Sequence, residues 1–210
     1  MDEYSYKLDN FLLPLISNIK KPNILEFGVE NGRSTLKFLD LCRLNDGYLF
    51  SVDPMDCSKI TNDSRWLFLQ TRDDDFDLVK SKIPKELDVV YLDSIHEASH
   101  VEKIFYEYYK MLKNGGYFFI DDISHMPYLK ENKRNNFYCE INNKETYDRI
   151  LDIYNNNSDL FDLSFTFKSS GLAIIKKNSN KTLSNKKKII TRVHSVKNLV
   201  RLLWKNLKRD

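Results

Sequence analysis

Five short apolar segments, alternating with stretches of helical periodicity, constrain the fold of this 210-residue chain more than any other feature. Strands that are apolar along their whole length and alternate with helices are typical of a parallel sheet covered on both faces. The sequence therefore predicts an α/β protein, and its length fits one domain. The predicted strands are NILEFGV from residue 23, YLFSVDP from 48, RWLFLQ from 65, LDVVYLD from 87 and YFFIDDI from 117.

The pattern changes after the fifth strand. A helix near residues 143–155 precedes two strands, DLSFTFKS and GLAIIKK, which are separated only by a turn at Ser169, Ser170 and Gly171. So short a link predicts an antiparallel pair, because a parallel crossover needs a dozen or more residues. We expect a Rossmann-like, doubly wound sheet of seven strands, mostly parallel, with a terminal antiparallel hairpin. This order resembles the class I methyltransferases.

The chain is predicted to comprise one such domain and a separate tail. The domain begins with a helix that Pro14 bends or interrupts. After the fifth strand it carries a polar insertion, where the resemblance implies a substrate lid whose Tyr128, Phe137 and Tyr138 either stack on a sugar ring or simply pack. The predicted boundaries are 1–177 for the methyltransferase domain (1–21 leading helix, 124–142 lid), 178–185 for a linker and 186–210 for a basic amphipathic helix.

The first strand leads into a glycine loop, Glu26-x-Gly28-x-x-x-Gly32. A glycine directly after a strand lets the backbone approach a ligand without a Cβ clash, and the next helix offers free N–H groups. An acid at the strand end suits a ligand with an ammonium group rather than a phosphate. Asp53 ends the second strand, where a carboxylate can accept hydrogen bonds from both hydroxyls of a ribose.

Together with the terminal hairpin, this loop resembles the S-adenosylmethionine site of class I methyltransferases. The resemblance implies that Glu26, Gly28 and Gly32 face the methionine part, that Asp53 binds the ribose, and that the loop carrying Asp73 contacts the adenine. On this interpretation the glycines make room for a nucleoside cosubstrate. The alternative is an NAD-type Rossmann oxidoreductase, since glycine-rich turns after strands are common.

Two further strand ends carry acids, Asp93 after the fourth strand and Asp121 with Asp122 after the fifth. In a parallel sheet both ends open onto one crevice, so these carboxylates should converge with His96 one short loop away. Converging carboxylates repel one another unless a cation or a proton intervenes. Hard oxygen ligands of this kind suit Mg²⁺ or Mn²⁺.

The spacing of these acids resembles the catechol O-methyltransferase type of enzyme and its sugar- and macrolide-modifying relatives. The resemblance implies that Asp93, Asp121 and Asp122 are metal ligands. His96 stands where catechol enzymes carry a lysine base, which favours the sugar and macrolide relatives, with His125 as an alternative base. Capping of loops or helices is the structural alternative for such acids.

The predicted activity is a metal-assisted O-methylation of a small polar substrate, a sugar or glycan intermediate. A metal-bound substrate hydroxyl would lose its proton to His96, with Asp93 beside it, and the oxygen would attack the sulfonium methyl group in line. The alternatives are metal-independent N- or O-methylation and a non-catalytic binding module that kept the fold.

The tail carries much of the positive charge. Residues 176–210 contain twelve Lys or Arg and one acid, a net charge of +11, and because the whole chain carries +3, residues 1–175 carry −8. Beyond residue 186, apolar residues recur at helical spacing opposite basic ones, with Trp204 as an interfacial anchor. We expect this helix to bind an anionic membrane surface; its own domain and a second subunit of a homo-oligomer are the alternatives. The acidic body disfavours nucleic acid.

The sequence also carries an expectation about location. It shows no apolar run of the ~18 residues that a spanning helix needs. Three cysteines without C-x-x-C spacing (Cys42, Cys57, Cys139) indicate reduced thiols. The chain is therefore expected to be cytoplasmic, at the inner face of a membrane if the tail binds there.

Overall fold

A computed structural model describes residues 2–126, 137–193 and 195–207 and confirms the predicted sheet. Seven strands form one sheet in the order β3-β2-β1-β4-β5-β7-β6. The strands are β1 (Asn23–Phe27), β2 (Tyr48–Asp53), β3 (Trp66–Gln70), β4 (Leu87–Leu92), β5 (Leu112–Asp121), β6 (Phe161–Thr166) and β7 (Leu172–Lys177).

The terminal hairpin is formed as predicted. Strand β7 lies between β5 and β6 and runs antiparallel to both, with Phe119 opposite Ile174 and Phe165 opposite Ala173. The pairs among β1 to β5 are all parallel. The carboxyl ends of β1, β2, β4 and β5 therefore lie along the same edge of the sheet.

Helices cover both faces of the sheet. They are α1 (Glu3–Lys7), a π-helical turn (Leu8–Leu12), α2 (Leu13–Ile16), α3 (Arg33–Asn45), α4 (Phe76–Lys82), α5 (Ala98–Tyr109), α6 (Phe137–Asn155) and α7 (Val196–Leu207). One buried cluster joins the sheet to the N-terminal segment and α3, and the other joins it to α4, α5 and α6. This two-sided burial explains why the strands read as continuously apolar.

The leading helix is interrupted before Pro14 rather than at it. The break is the π-helical turn that follows Lys7, and Pro14 lies in the first turn of α2, where its missing N–H costs nothing. Helix α5 ends at Tyr109, and the Gly115-Gly116 pair belongs to β5.

The segment after β7 corrects the predicted linker and tail. Residues 178–189, which we call the strap, run along α5 and α6: Ser184 N donates to Asn157 Oδ1 at 2.7 Å and Ile189 N to Asp152 Oδ1 at 2.8 Å. The helix predicted from residue 186 begins at Val196. Residues 127–136 of the predicted lid, with Tyr128, lie outside the described residues, while Phe137 and Tyr138 begin α6 with exposed side chains.

Candidate active site

A cavity of about 460 Å³ opens at the carboxyl ends of β1, β2 and β4. It brings together predicted cosubstrate contacts with the predicted catalytic residues, as expected where parallel strands end. Six predicted residues line the cavity: Gly28, Asp53, Asp73, Asp93, His96 and Asp122. The lining also contains five residues that were not predicted: Tyr4, Glu30, Asn31, Arg33 and Ser34.

Gly28 is required by a close backbone contact. Its φ is +89°, and a Cβ at this position would lie 2.1 Å from the carbonyl oxygen of Asp93. The loop after β1 therefore touches the end of β4, which fixes the distance between the cosubstrate side and the acid side of the cavity. Only glycine satisfies both the positive φ and this approach.

Asp53 fixes the glycine loop from the end of β2. Its Oδ2 accepts hydrogen bonds from Val29 N at 2.8 Å and Glu30 N at 3.2 Å, and its Oδ1 accepts one from Met55 N at 2.8 Å. A carboxylate offers about four acceptor sites, so it retains capacity for a ribose hydroxyl. The predicted ribose contact is compatible with this geometry.

Asp73 lies at the far end of the same wall, after β3. Its Oδ2 is 2.8 Å from His100 Nε2 and accepts a hydrogen bond from Ser94 Oγ at 2.5 Å. His100 thus supports the cavity wall from α5. The loop after β3 is fastened to the loop after β4 by this cluster.

The structure corrects the predicted role of Glu26. Its carboxylate is fully buried away from the cavity lining and accepts hydrogen bonds from three hydroxyls, Ser34 Oγ, Thr35 Oγ1 and Ser51 Oγ. Burial raises the pKa of Glu26 to about 7, although the hydroxyl donors oppose the shift. Glu26 joins β1, β2 and the start of α3 instead of facing the ammonium group of a ligand.

Gly32 lies outside the cavity lining. Its φ is +73° at the N-cap of α3, and a Cβ there would lie 2.6 Å from the side chain of Ile60. The missing side chain therefore makes room for Ile60.

His96 lies between two carboxylates in the loop after β4. Its Nε2 is 3.4 Å from Asp122 Oδ2 and 3.7 Å from Asp93 Oδ1. All three side chains line the cavity and are partly exposed, so they can reach a bound molecule. His125, the alternative base, packs its ring against Tyr147 and Phe167 instead.

Asp121 is engaged by an internal cation. Lys7 Nζ forms a buried ion pair with its Oδ1, which also accepts hydrogen bonds from Ser170 Oγ at 2.9 Å and Asp122 N at 2.7 Å. Its Oδ2 accepts one from Tyr91 OH at 2.7 Å. Burial favours the neutral acid, but the Lys7 ammonium outweighs it and lowers the pKa of Asp121 below its usual value.

Asp93 has the opposite electrostatic character. Burial raises its pKa well above the usual range, and the nearby charges of Asp121 and Asp122 raise it further. Its Oδ2 accepts hydrogen bonds from Tyr4 OH at 2.9 Å and Tyr91 OH at 3.0 Å. The pKa values of these two neighbouring acids are thus shifted in opposite directions, because only Asp121 is hydrogen-bonded to the Lys7 ammonium.

The predicted three-carboxylate metal centre does not fit this arrangement. Both oxygens of Asp121 are occupied by protein donors, and Lys7 holds the position that faces its Oδ1. Within the described ranges, no three His, Cys, Asp or Glu side chains are arranged to hold a metal ion. Asp93 and Asp122 converge with His96 at the cavity, but Asp121 is paired with Lys7 in the protein interior.

Sequence reasoning missed Tyr4, Lys7 and Ser170 because they come from the two ends of the domain. One signal for Lys7 was present, since it lies on the apolar stripe of the leading helix, three residues after Tyr4 and four before Phe11. A lysine in the middle of an apolar stripe indicates a buried ammonium that needs a partner.

Residues 25–123 of the chain match a protein family described as a methyltransferase domain. The match runs from β1 to the residue after Asp122 and so contains the glycine loop and the predicted acids. No curated protein matches the chain in a sequence search.

Solved structures with the same fold are similar over most of the chain. A Staphylococcus aureus protein provisionally described as a caffeoyl-CoA O-methyltransferase superposes with a TM-score of 0.62 at 18% identity, covering 85% of each chain. The Podospora anserina methyltransferase PaMTH1, bound to SAH, gives 0.62 at 14% identity over 84% of this chain and 86% of its own. MycE of the mycinamycin biosynthetic pathway, bound to Mg and SAH, gives 0.61 at 18% identity over 85% of this chain and 53% of MycE.

The fold is that of the class I methyltransferases, with the reversed strand β7 between β5 and β6 and a cavity at the carboxyl ends of the parallel strands. Together with the match of residues 25–123 to a methyltransferase domain, this fold indicates an S-adenosylmethionine-dependent methyltransferase.

Proposed function

We propose that this methyltransferase transfers the methyl group of S-adenosylmethionine to a hydroxyl of a small polar substrate, a sugar or glycan intermediate. The observation that carries the proposal is the position of His96, between two carboxylates on the wall of the cavity that also contains Gly28 and Asp53. A proton acceptor beside a cosubstrate site is what an oxygen nucleophile requires.

The proposed step needs two alignments. The loop of Gly28 and Asp53 positions the cosubstrate, while His96 accepts the proton of the substrate hydroxyl. The hydroxyl oxygen forms a bond to the methyl carbon as the bond from that carbon to the sulfonium sulfur breaks. The products are the methyl ether, S-adenosylhomocysteine and a proton on His96. Holding both reactants in line supplies much of the acceleration.

We leave the divalent metal predicted from the sequence out of this proposal, because Asp121 is paired with Lys7. Magnesium and SAH are present together in MycE, which shares the fold. In this chain the Lys7 ammonium donates to Asp121, and the hydroxyls of Tyr4 and Tyr91 donate to Asp93, with Tyr91 also reaching Asp121.

The proposal of a polar acceptor rests on the chemistry of the cavity wall. Its acid side presents Asp93, His96 and Asp122, which offer hydrogen-bond partners to several hydroxyls of one molecule. This polar lining makes hydroxylated molecules the first class of substrate to test.

The test is methyl transfer from labelled S-adenosylmethionine to a panel of sugars and nucleotide sugars. We expect His96→Asn to lower kcat by about 100-fold or more, the usual contribution of a general base, while calorimetry shows unchanged S-adenosylhomocysteine binding. Glu97→Gln changes the exposed neighbouring residue and is the matched control. Full turnover in His96→Asn would assign the proton transfer elsewhere, and methylation of amines alone would favour an N-methyltransferase.

We also propose that α7 attaches the enzyme to an anionic membrane surface. Its apolar residues Val196, Leu199 and Leu203 are more than half exposed, and Lys197, Arg201 and Lys205 are interspersed with them. No helix within the described ranges is long and apolar enough to cross a membrane. Binding at the surface would use both the apolar and the basic face.

A further inference from the structure

The N-terminal helix places a lysine inside the acid cluster. Lys7 is the last residue of α1 and is fully buried. Its Nζ donates to Asp121 Oδ1, to Ser170 Oγ at 2.7 Å and to the carbonyl oxygen of Gly171 at 3.4 Å. An ammonium has three N–H donors, so every proton of Lys7 has an acceptor.

Asp121, the acid that pairs with Lys7, also accepts hydrogen bonds on both of its oxygens. Asp121 is 1% exposed and receives four hydrogen bonds, two on Oδ1 in addition to the ion pair and one on Oδ2 from Tyr91. A metal ion that took the place of the Lys7 ammonium at Oδ1 would break a buried ion pair. Breaking such a pair is costly because it leaves a charge without its partner.

The same helix reaches the acid at the end of β4. Tyr4 lies three residues before Lys7 and therefore on the same helix face, and its hydroxyl donates to Asp93 Oδ2. The Lys7 ammonium is 5.0 Å from the centroid of the Tyr4 ring, within range of a cation–π contact. One helix face thus bridges Asp93 and Asp121.

A π-helical turn follows Lys7 at once, from Leu8 to Leu12. Such turns are rare and are frequently found at functional sites. Here the turn lets Leu8 and Leu12 pack in the core on one side while Lys7 and Tyr4 point to the acids.

We propose that the Lys7 ammonium supplies the positive charge of this site in place of a divalent metal, so that methyl transfer proceeds without one. A dication beside a buried ammonium would meet strong repulsion in a medium of low polarity. Lys7 neutralises Asp121 and leaves Asp93, Asp122 and His96 to contact the substrate. The inference rests on the methyl transfer proposed above, but its central claim concerns metal binding and is tested without an acceptor.

The experiment is a titration of Mn²⁺ followed by the electron paramagnetic resonance of the free ion. Three proteins are compared: wild type, Lys7→Met and the control Lys37→Met. Lys37 pairs with Asp9 at 2.5 Å and fastens the same N-terminal segment to α3 without touching the acids. We expect wild type and Lys37→Met to leave Mn²⁺ free, and Lys7→Met to bind one ion per chain, at least about tenfold more tightly than wild type.

Two results would overturn the proposal. The first is a wild-type chain that binds one Mn²⁺ and loses it in Asp121→Asn. The second is a folded Lys7→Met chain that leaves Mn²⁺ free. The wild-type titration decides the question even if Lys7→Met fails to fold. Once an acceptor is found, wild-type turnover in EDTA should equal turnover in Mg²⁺, and a strict metal requirement would contradict the inference while leaving methyl transfer intact.

Discussion

At the scale of single residues, Asp53 holds two loops of the cavity wall in place. Its carboxylate accepts three backbone N–H groups from the loops after β1 and β2. A charged acceptor makes hydrogen bonds roughly twice as strong as a neutral one. The position of Val29 and Glu30 in the cavity wall therefore depends on this carboxylate.

Asp53→Ala should weaken S-adenosylhomocysteine binding by about 10- to 100-fold, because hydrogen bonds to a charged group contribute about 1.5–3 kcal/mol. Calorimetry with the wild-type chain as reference measures the change. Asp56→Ala is the matched control, since that exposed carboxylate accepts a hydrogen bond from Ser58 N in the same loop. Equal affinity of wild type and Asp53→Ala would remove Asp53 from the cosubstrate site.

Glu26 makes stability depend on pH. Its pKa is about 7 in the folded chain against 4.5 for an ordinary glutamate, so the folded state retains a proton that the unfolded state loses. The protein therefore loses stability as the pH rises. The contribution of Glu26 to the free energy of unfolding is fully present below pH 4.5, decreases between about pH 4.5 and 7, and no longer changes above pH 7. The difference amounts to about 3 kcal/mol.

Glu26→Gln removes this titration but retains polar contacts to the three hydroxyls. We expect the free energy of unfolding of the variant to rise relative to wild type as pH increases from 5 to 7. Urea denaturation at several pH values measures it, with Glu97→Gln as an exposed control. Parallel pH profiles of wild type and Glu26→Gln would show that Glu26 keeps an ordinary pKa.

At the scale of elements, the strap is held against the domain by side-chain hydrogen bonds and does not pair with a strand of the sheet. Asn157, which follows α6 and is fully buried, receives Ser184 N on its Oδ1 and donates through Nδ2 to the carbonyls of Ile153 and Ser184. The strap therefore behaves as part of the domain, although its composition predicted a linker.

Asn157→Ala should cost about 2 kcal/mol of stability by leaving buried backbone groups unpaired. It should also release the strap, so that trypsin cuts sooner at Lys186 to Lys188. Asn156→Ala, which removes one exposed hydrogen bond to the carbonyl of Asn185, should have a smaller effect. Identical cleavage rates in wild type and Asn157→Ala would show that other contacts hold the strap.

The elements also show how far the sequence could predict this molecule. The parallel strands followed from apolar continuity, and the antiparallel hairpin followed from the short turn at Ser169, Ser170 and Gly171. The meeting of Asp93 with Asp122 followed from the geometry of parallel strand ends. Glu26 was misplaced because both faces of β1 are buried, so alternation gives no signal for which face meets the ligand. Lys7 was missed because its partners are distant in sequence.

At the scale of the whole molecule, the acidic body and the basic tail should interact differently with an anionic membrane. Residues 1–175 carry a net charge of −8, which an anionic bilayer repels, while residues 176–210 carry +11. Each basic residue near an anionic surface contributes about 1 kcal/mol. Attachment should therefore be strong only while the tail is present, with the body held away from the lipid.

Co-sedimentation with anionic vesicles tests the tail. We expect the full chain to pellet, and a chain ending at Arg192 to remain in solution, because this end preserves the strap and removes α7. Leu199→Ser with Leu203→Ser tests the apolar contribution at unchanged charge and should weaken binding. Equal sedimentation of all three proteins would exclude α7 as the anchor, and a dimer that dissociates on truncation would assign the helix to a subunit contact.

The ion pair of Lys7 has a consequence for folding during synthesis. It joins residues 114 positions apart, and the hydrogen bond to Ser170 spans 163. Closing such loops sacrifices much chain entropy, and folding slows as contacts become more distant in sequence. Lys7 leaves the ribosome long before β5 and the hairpin have been made. Its ammonium group therefore stays hydrated until those strands form. The cluster of Lys7, Asp121 and Ser170 is complete only after the hairpin has been made.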